Sequence, residues 1–220
     1  MSRFQALTRL SEEKFMDIRN LPIEPDKFYH IYNRGVNGEI IFKSDRNYSF
    51  FLSKIKDNLL PVCDIYAYCL LPNHFHFLIK VKSEVCLESL VKVSNLDKAK
   101  EGLHAPKNIF SKQFSKIFNS YSQAFNKENN RHGALIESPF KRKQINSDEY
   151  LRKVILYIHR NPQNHGLSSD FKEYKYSSYH RILSQTKSNL KWENVIELFD
   201  DLENFVFTHQ QEIDLEEFDY

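Results

Sequence analysis

Two histidines flank one phenylalanine at His74-Phe75-His76, inside the β-rich run HFHFLIKVK at 74–82. On a strand, residues two apart leave the same face. Both imidazoles therefore share one side, while Phe75, Phe77 and Ile79 take the other. Two neutral imidazoles so placed can bind one divalent metal, but they do not complete a site. The spacing by itself is also, and more often, that of paired surface histidines. A second set lies in and just after the run 147–160, where Leu151, Val154, Ile155 and Ile158 form the apolar stripe of a helix. Tyr157 and Asn161, four residues apart, share a flank. Asn161 offers an amide oxygen to a metal, and Tyr157 offers a phenol as nucleophile. The chain has 12 tyrosines, and a tyrosine on an amphipathic helix is usually there for packing. The third set is basic: Lys141, Arg142 and Lys143 are contiguous, with Arg34, Lys153 and Arg160 as further cations and Phe140 and Tyr150 interleaved. Lys and Arg on phosphates with stacking aromatics suit single-stranded or hairpin nucleic acid. A charge run is also simply a solvated edge.

The elements that must position these residues follow from the pattern. FYHIYNR (28–34) alternates and predicts a strand, with turn signals at Gly35 and Asn37-Gly38 and a short extended piece at 39–42. Ser44 caps a helix to about Leu60. CDIYAYCLL (63–71) and the His-x-His run form a hairpin about Pro72-Asn73. A short helix is predicted near 86–95, a polar loop at 96–107 and an amphipathic helix at 108–127. GALIESPFKRKQI (133–145) is extended, and the 147–160 helix ends at Asn161-Pro162, because a residue before proline disfavours helical geometry. Residues 175–183 read as irregular or short helix, and 192–207 as one acidic helix. The order implies an α+β fold of ferredoxin-like type: an antiparallel sheet with helices mainly on one face and the histidine motif on a central strand.

The 220 residues carry a net charge of +2, but unevenly. Residues 193–220 hold ten acidic and no Lys or Arg residues, so 1–192 hold 31 basic against 19 acidic, a net of +12. A basic body with an acidic tail suits a nucleic-acid binder, and both halves also suit ordinary solvated surface. No run approaches the roughly 20 apolar residues of a membrane span. The first residues lack a secretory h-region, so a cytoplasmic location is expected. Three cysteines without a Cys-x-x-Cys pair argue against a disulfide framework or a zinc ribbon. Five glycines, none in a phosphate-binding loop, exclude Rossmann and P-loop nucleotide cofactors. The expected division is an arm at 1–27, a central domain at 28–190 and an acidic helix or tail at 191–220.

FYHIYNRG (28–35), AYCLLPNHFHFLIKV (67–81), SYSQAFNK (120–127), GALIESPFK (133–141) and YIHRNPQNHGL (157–167) occur in that order. Together they resemble the REP-associated tyrosine transposases, a branch of the single-tyrosine HUH transposases, over roughly residues 28–183. The resemblance implies Tyr157 as the catalytic tyrosine, and His74, His76 and Asn161 as ligands of Mg²⁺ or Mn²⁺. It implies nicking and strand transfer on single-stranded or hairpin DNA through a 5′-phosphotyrosine link, by a monomer or homodimer. The alternative is a domesticated protein that binds hairpin nucleic acid without cutting. The family's usual Gly-x-Leu-Phe-Gln-x-Arg-Phe-Lys is here 133–141 with Glu137 and Pro139, which departs at positions concerned with DNA rather than with the metal or tyrosine.

Overall fold

A computed structural model describes residues 22–84, 86–87 and 109–212. Its sheet has four antiparallel strands: β1 (Phe28–Arg34), β2 (Cys63–Leu71), β3 (His74–Val81) and β4 (Lys141–Ile145), in the order β2-β3-β1-β4. Helix α1 (Asp45–Asn58) joins β1 to β2, and α2 (Ile109–Glu128) precedes β4. This is the ferredoxin-like order, with the histidine strand β3 in the sheet interior as expected.

The alternation of β3 sorts its side chains between two buried layers. Phe75 and Phe77 face α1 and α2, meeting Phe51 at 5.0 and 6.4 Å between ring centroids and, for Phe75, Phe118 at 5.7 Å. His74 and His76 face the other way, towards α3 (Asp148–Asn164). The helices thus divide between the two faces more evenly than expected. Helix α3 is itself amphipathic, and its apolar stripe has only the second face of the sheet left to cover. Ser44 and Ser147 start α1 and α3, their hydroxyls accepting from the Asn47 and Tyr150 backbone N–H groups. Each such cap stabilises by about 1 kcal/mol.

Gly35 ends β1 where space demands it. A Cβ there would lie 2.1 Å from the Glu39 carbonyl oxygen, while the Gly35 N–H donates to Asn73 O at 2.8 Å. The β1 end is thereby fixed against the hairpin turn that carries the histidines. Residues 39–42 form no strand; the Ile41 and Phe42 N–H groups both donate to the Pro72 carbonyl.

Two boundaries differ from the sequence expectation. Helix α3 runs four residues beyond Arg160, with Pro162 inside its last turn. That turn is closed by bonds that need no proline N–H: His165 N to Asn161 O, Gly166 N to Gln163 O and Leu167 N to Pro162 O. Gly166, at φ 66°, supplies the left-handed residue that ends it. The acidic C-terminal stretch is two helices, α5 (Trp192–Leu198) and α6 (Leu202–Gln210), after a short α4 (Tyr179–Leu183). Asp200 breaks it at φ 72°, and Asp201 caps α6 by accepting from Asn204 N at 2.7 Å. Neither helix is a free tail, since Val195, Phe199, Phe205 and His209 are buried. At the other end, Ile23 is buried and Tyr29 Oη donates to the Pro22 carbonyl at 3.1 Å. Most of the arm expected at 1–27 and most of 86–107 lie outside the described residues. No described helix is long and apolar enough to cross a membrane.

Candidate active site

A cleft of about 710 Å³ opens on the α3 face of the sheet, lined by Tyr32, Arg34, Asn73, His74, His76, Lys141, Tyr157, His165 and neighbours. The α3 ladder and the β3 pleat converge there. The Tyr157 ring meets the His76 ring edge-on at 5.4 Å between centroids and the His30 ring at 5.9 Å. His74 and His76 lie 5.2 Å apart by the same measure. The histidine pair, Tyr157 and Asn161 lie together within one chain.

Each donor is aimed by a second group. His74 Nδ1–H donates to Asn73 Oδ1 at 2.7 Å, which leaves its Nε2 lone pair available. His76 Nδ1 bonds to His30 Nε2 at 2.9 Å, and His76 Nε2 is buried without a partner. Asn161 Nδ2 donates to the Tyr157 carbonyl at 2.9 Å, one turn back along α3. Its Oδ1 is buried and unpartnered too, close enough to His74 to favour the imidazolium slightly but outside hydrogen-bond geometry. His76 Nε2 and Asn161 Oδ1, both buried without a hydrogen-bond partner beside His74 and Tyr157, are the kind of atoms a divalent ion satisfies, so the residues fit a metal. Among the described residues no three His, Cys, Asp or Glu side chains are grouped for a metal, so a third protein donor would have to be of another kind, such as the Asn161 amide oxygen. Imidazole nitrogen with amide oxygen is compatible with Mn²⁺ or Mg²⁺.

Burial keeps the rings neutral, as ligands must be. It lowers His30 to about 3, with Lys143 adding to the effect. His74 falls to about 4, by burial first and then by His165 and Arg34. His76, fully enclosed, lies well below the ordinary histidine value.

The basic residues divide. Arg34 and Lys141 line the cleft, Arg34 ion-paired to Glu137 at 2.7 Å. Lys143 shares their face of β4, because it pairs with His30, and its ammonium lies 4.9 Å from the Tyr150 ring. Arg142 pairs with Ile31 and turns to the opposite face, buried with its guanidinium 4.5 Å from the Phe140 ring. The pleat therefore removes Arg142 from the expected DNA-binding set. Lys153 is ion-paired to Glu149 at 3.3 Å, and Arg160 lies 5.9 Å from the Phe171 ring; neither lines the cleft.

Three residues that sequence reasoning passed over belong to the site. Asn73 and His30 hydrogen-bond to His74 and His76. His165 caps α3 at the cleft, 4.8 Å from the His74 ring. Its four-residue spacing after Asn161 was a usable signal, hidden by the expectation that the helix stops at Arg160.

No family model matches the sequence. A REP-associated tyrosine transposase of Haemophilus influenzae is 25% identical over 149 residues, 64% of this chain and 77% of that one. A solved structure of a REP-associated tyrosine transposase bound to a REP hairpin has a similar fold. The TM-score is 0.51 at 14% identity, over 78% of this chain and 87% of that one. In sequence and in fold, the chain is therefore similar to the REP-associated tyrosine transposases.

Proposed function

We propose that this chain is a transposase-type enzyme that binds hairpin DNA, nicks an adjoining single strand with Tyr157 and transfers the strand end. The observation carrying this reading is the meeting of Tyr157 with His74 and His76 in a cleft bordered by Arg34 and Lys141, with His76 Nε2 and the nearby Asn161 Oδ1 both buried without a hydrogen-bond partner. Buried acceptors left open are a liability in a binding module and a requirement in a metal-assisted site.

In this reading Arg34 and Lys141 hold the DNA phosphates. Tyr157 Oη gives up its proton and attacks phosphorus, the P–O3′ bond breaks, and the 3′-oxygen leaves to become a hydroxyl. The product is a 5′-phosphotyrosine ester. Because the ester conserves the phosphodiester bond, a second 3′-hydroxyl can reverse the step and join strands. His74, His76 and Asn161 would hold a divalent ion, Mg²⁺ or Mn²⁺, which when bound neutralises phosphate charge and stabilises the leaving oxygen.

The test is a denaturing gel of the protein with Mn²⁺ and labelled hairpin DNA bearing single-stranded flanks. A covalent adduct in the wild type, absent in Tyr157→Phe, is the expected outcome. Hairpin retention with no adduct across varied flanks would instead mark a binding protein without cleavage.

A further inference from the structure

His30 belongs to neither the histidine motif nor the tyrosine helix, yet it touches both. It lies on β1 opposite Leu78, one pleat from the Tyr32–His76 pair, on the cleft side of the sheet. It is fully buried, stacked on His76 at 5.1 Å and 23°, and edge-on to Tyr157. Its Nε2 lies 2.9 Å from His76 Nδ1. One of the two nitrogens must carry the proton, and the choice has consequences on the far side of the His76 ring. If His30 donates, neutral His76 carries its own proton on Nε2, and that N–H is buried without an acceptor. If His76 donates, its Nε2 is a bare lone pair facing the cleft. Either way one ring N–H sits buried, at His76 Nε2 or at His30 Nδ1, so burial alone does not choose between them; a ligand role for His76 does, because only the second tautomer leaves its Nε2 bare.

We infer that His30 is a positioning residue: it accepts from His76 Nδ1–H, and so fixes the tautomer and ring angle that aim the His76 Nε2 lone pair at a metal. This rests on the metal-ligand part of the proposed function. On the other side of the cleft Asn73 does the same for His74. The two ligands are thus oriented by unlike acceptors, one an exchangeable amide on the hairpin turn and one a ring locked in the sheet interior. Such outer partners set ligand basicity as well as direction, and their loss weakens metal binding about 10- to 100-fold.

The experiment uses the full chain. In metal-free wild-type protein, long-range ¹⁵N–¹H NMR of the histidine rings is expected to show His76 protonated at Nδ1 and bare at Nε2. Mn²⁺ affinity is then read by EPR of the free ion. His30→Phe keeps ring volume but accepts nothing, so affinity falls about 10- to 100-fold and His76 shifts towards its Nε2–H form. His30→Gln, whose amide oxygen can accept, recovers part of the affinity. Wild-type His76 protonated at Nε2, or wild-type Mn²⁺ affinity retained in His30→Phe, overturns the inference alone. A wild-type protein that binds no Mn²⁺ overturns it together with the metal part of the proposed function, while the Tyr157 adduct gel judges the nucleophile separately. Should His30→Phe not fold, the wild-type tautomer still decides.

Discussion

Helix α3 carries a histidine cluster on each of two sides, and the two are satisfied differently. On the cleft side, His30, His74 and His76 use three of their six ring nitrogens on Asn73 and on one another, and among the other three His76 Nε2 is buried without a hydrogen-bond partner. On the far side, His159 bonds His209 at 2.8 Å and Ser178 at 2.8 Å, His209 bonds the Phe205 carbonyl at 2.7 Å, and Ser178 Oγ accepts from Tyr68 N at 2.9 Å. That second chain has one consistent direction for neutral rings. The Phe205 carbonyl can only accept, so His209 Nδ1 holds the proton. His209 Nε2 then accepts from His159 Nδ1–H, and His159 Nε2 accepts from the Ser178 hydroxyl. Every ring nitrogen there is used. Equal burial and equal residue type thus separate into scaffold and site by whether a lone pair is left over.

The largest expected effect lies on the cleft side. Tyr157→Phe removes one oxygen from a buried ring, so the protein is expected to keep its unfolding midpoint while adduct formation falls to background. A nucleophile lost outright removes several orders of magnitude of rate. Nicking that persists in this variant would put water or another residue in the nucleophile's role and dissolve the contrast between the clusters.

The far side is expected to show the reverse. His159→Ala opens a cavity among Tyr179, Phe205 and His209 and strands the Ser178 hydroxyl and one His209 nitrogen. A loss of roughly 2–4 kcal/mol in urea unfolding is expected. At a temperature where the variant is still folded, its Mn²⁺ affinity is expected to match the wild type. A stable His159→Ala protein that cannot bind Mn²⁺ would mean that the far cluster is part of the site.

The sequence made the first cluster half legible and the second not at all. Strand alternation placed His74 and His76 on one face without any tertiary information, because the pleat is a local property. His30 lies 46 residues from His76, and only the β1–β3 register brings them together. Asn161 was found by its four-residue spacing from Tyr157, but His165 was hidden by a proline rule that tertiary packing overrode, since Gly166 lets the last turn close around Pro162. The acidic terminus read as solvated helix because its charges outnumber its apolar positions. Yet the spacing of Val195, Phe199, Phe205 and His209 is what buries it against the back of α3. The contiguous Lys141-Arg142-Lys143 read as one patch, and the same pleat that united the histidines splits it.

Acid is expected to act through the far cluster. Burial holds His159 well below the ordinary histidine value and His209 down at about 4, against 6.5 when exposed. The unfolded chain therefore binds more protons as pH falls below 6.5, and stability declines until His209 itself protonates near 4. The slope is about 1.4 kcal/mol per pH unit for each histidine involved. Replacing both by phenylalanine is expected to lessen the slope of the urea-stability profile between pH 6.5 and 4, with a remainder from His30, His74 and His76, which burial also holds low. An unchanged slope would move the acid sensitivity to the cleft histidines or to carboxylates.

A small change in stability is also expected at Asn161, and it separates the clusters most sharply. Its side chain makes one hydrogen bond, to the Tyr157 carbonyl, and leaves its other polar atom buried and unmatched. Leucine has nearly the same shape and no such atom. Asn161→Leu forfeits the bond but also removes the desolvated oxygen, so the two effects oppose, and metal-free stability is expected to stay within about 1 kcal/mol. Mn²⁺ affinity, by contrast, is expected to fall at least tenfold, because a donor is gone while both histidines remain aimed. A polar residue that sits fully buried and can be lost without harm to the fold is held there for something other than the fold. If Asn161→Leu instead unfolds the protein and leaves Mn²⁺ binding intact, then Asn161 is a structural residue like His159, and the open acceptors on the cleft side shrink to His76 Nε2.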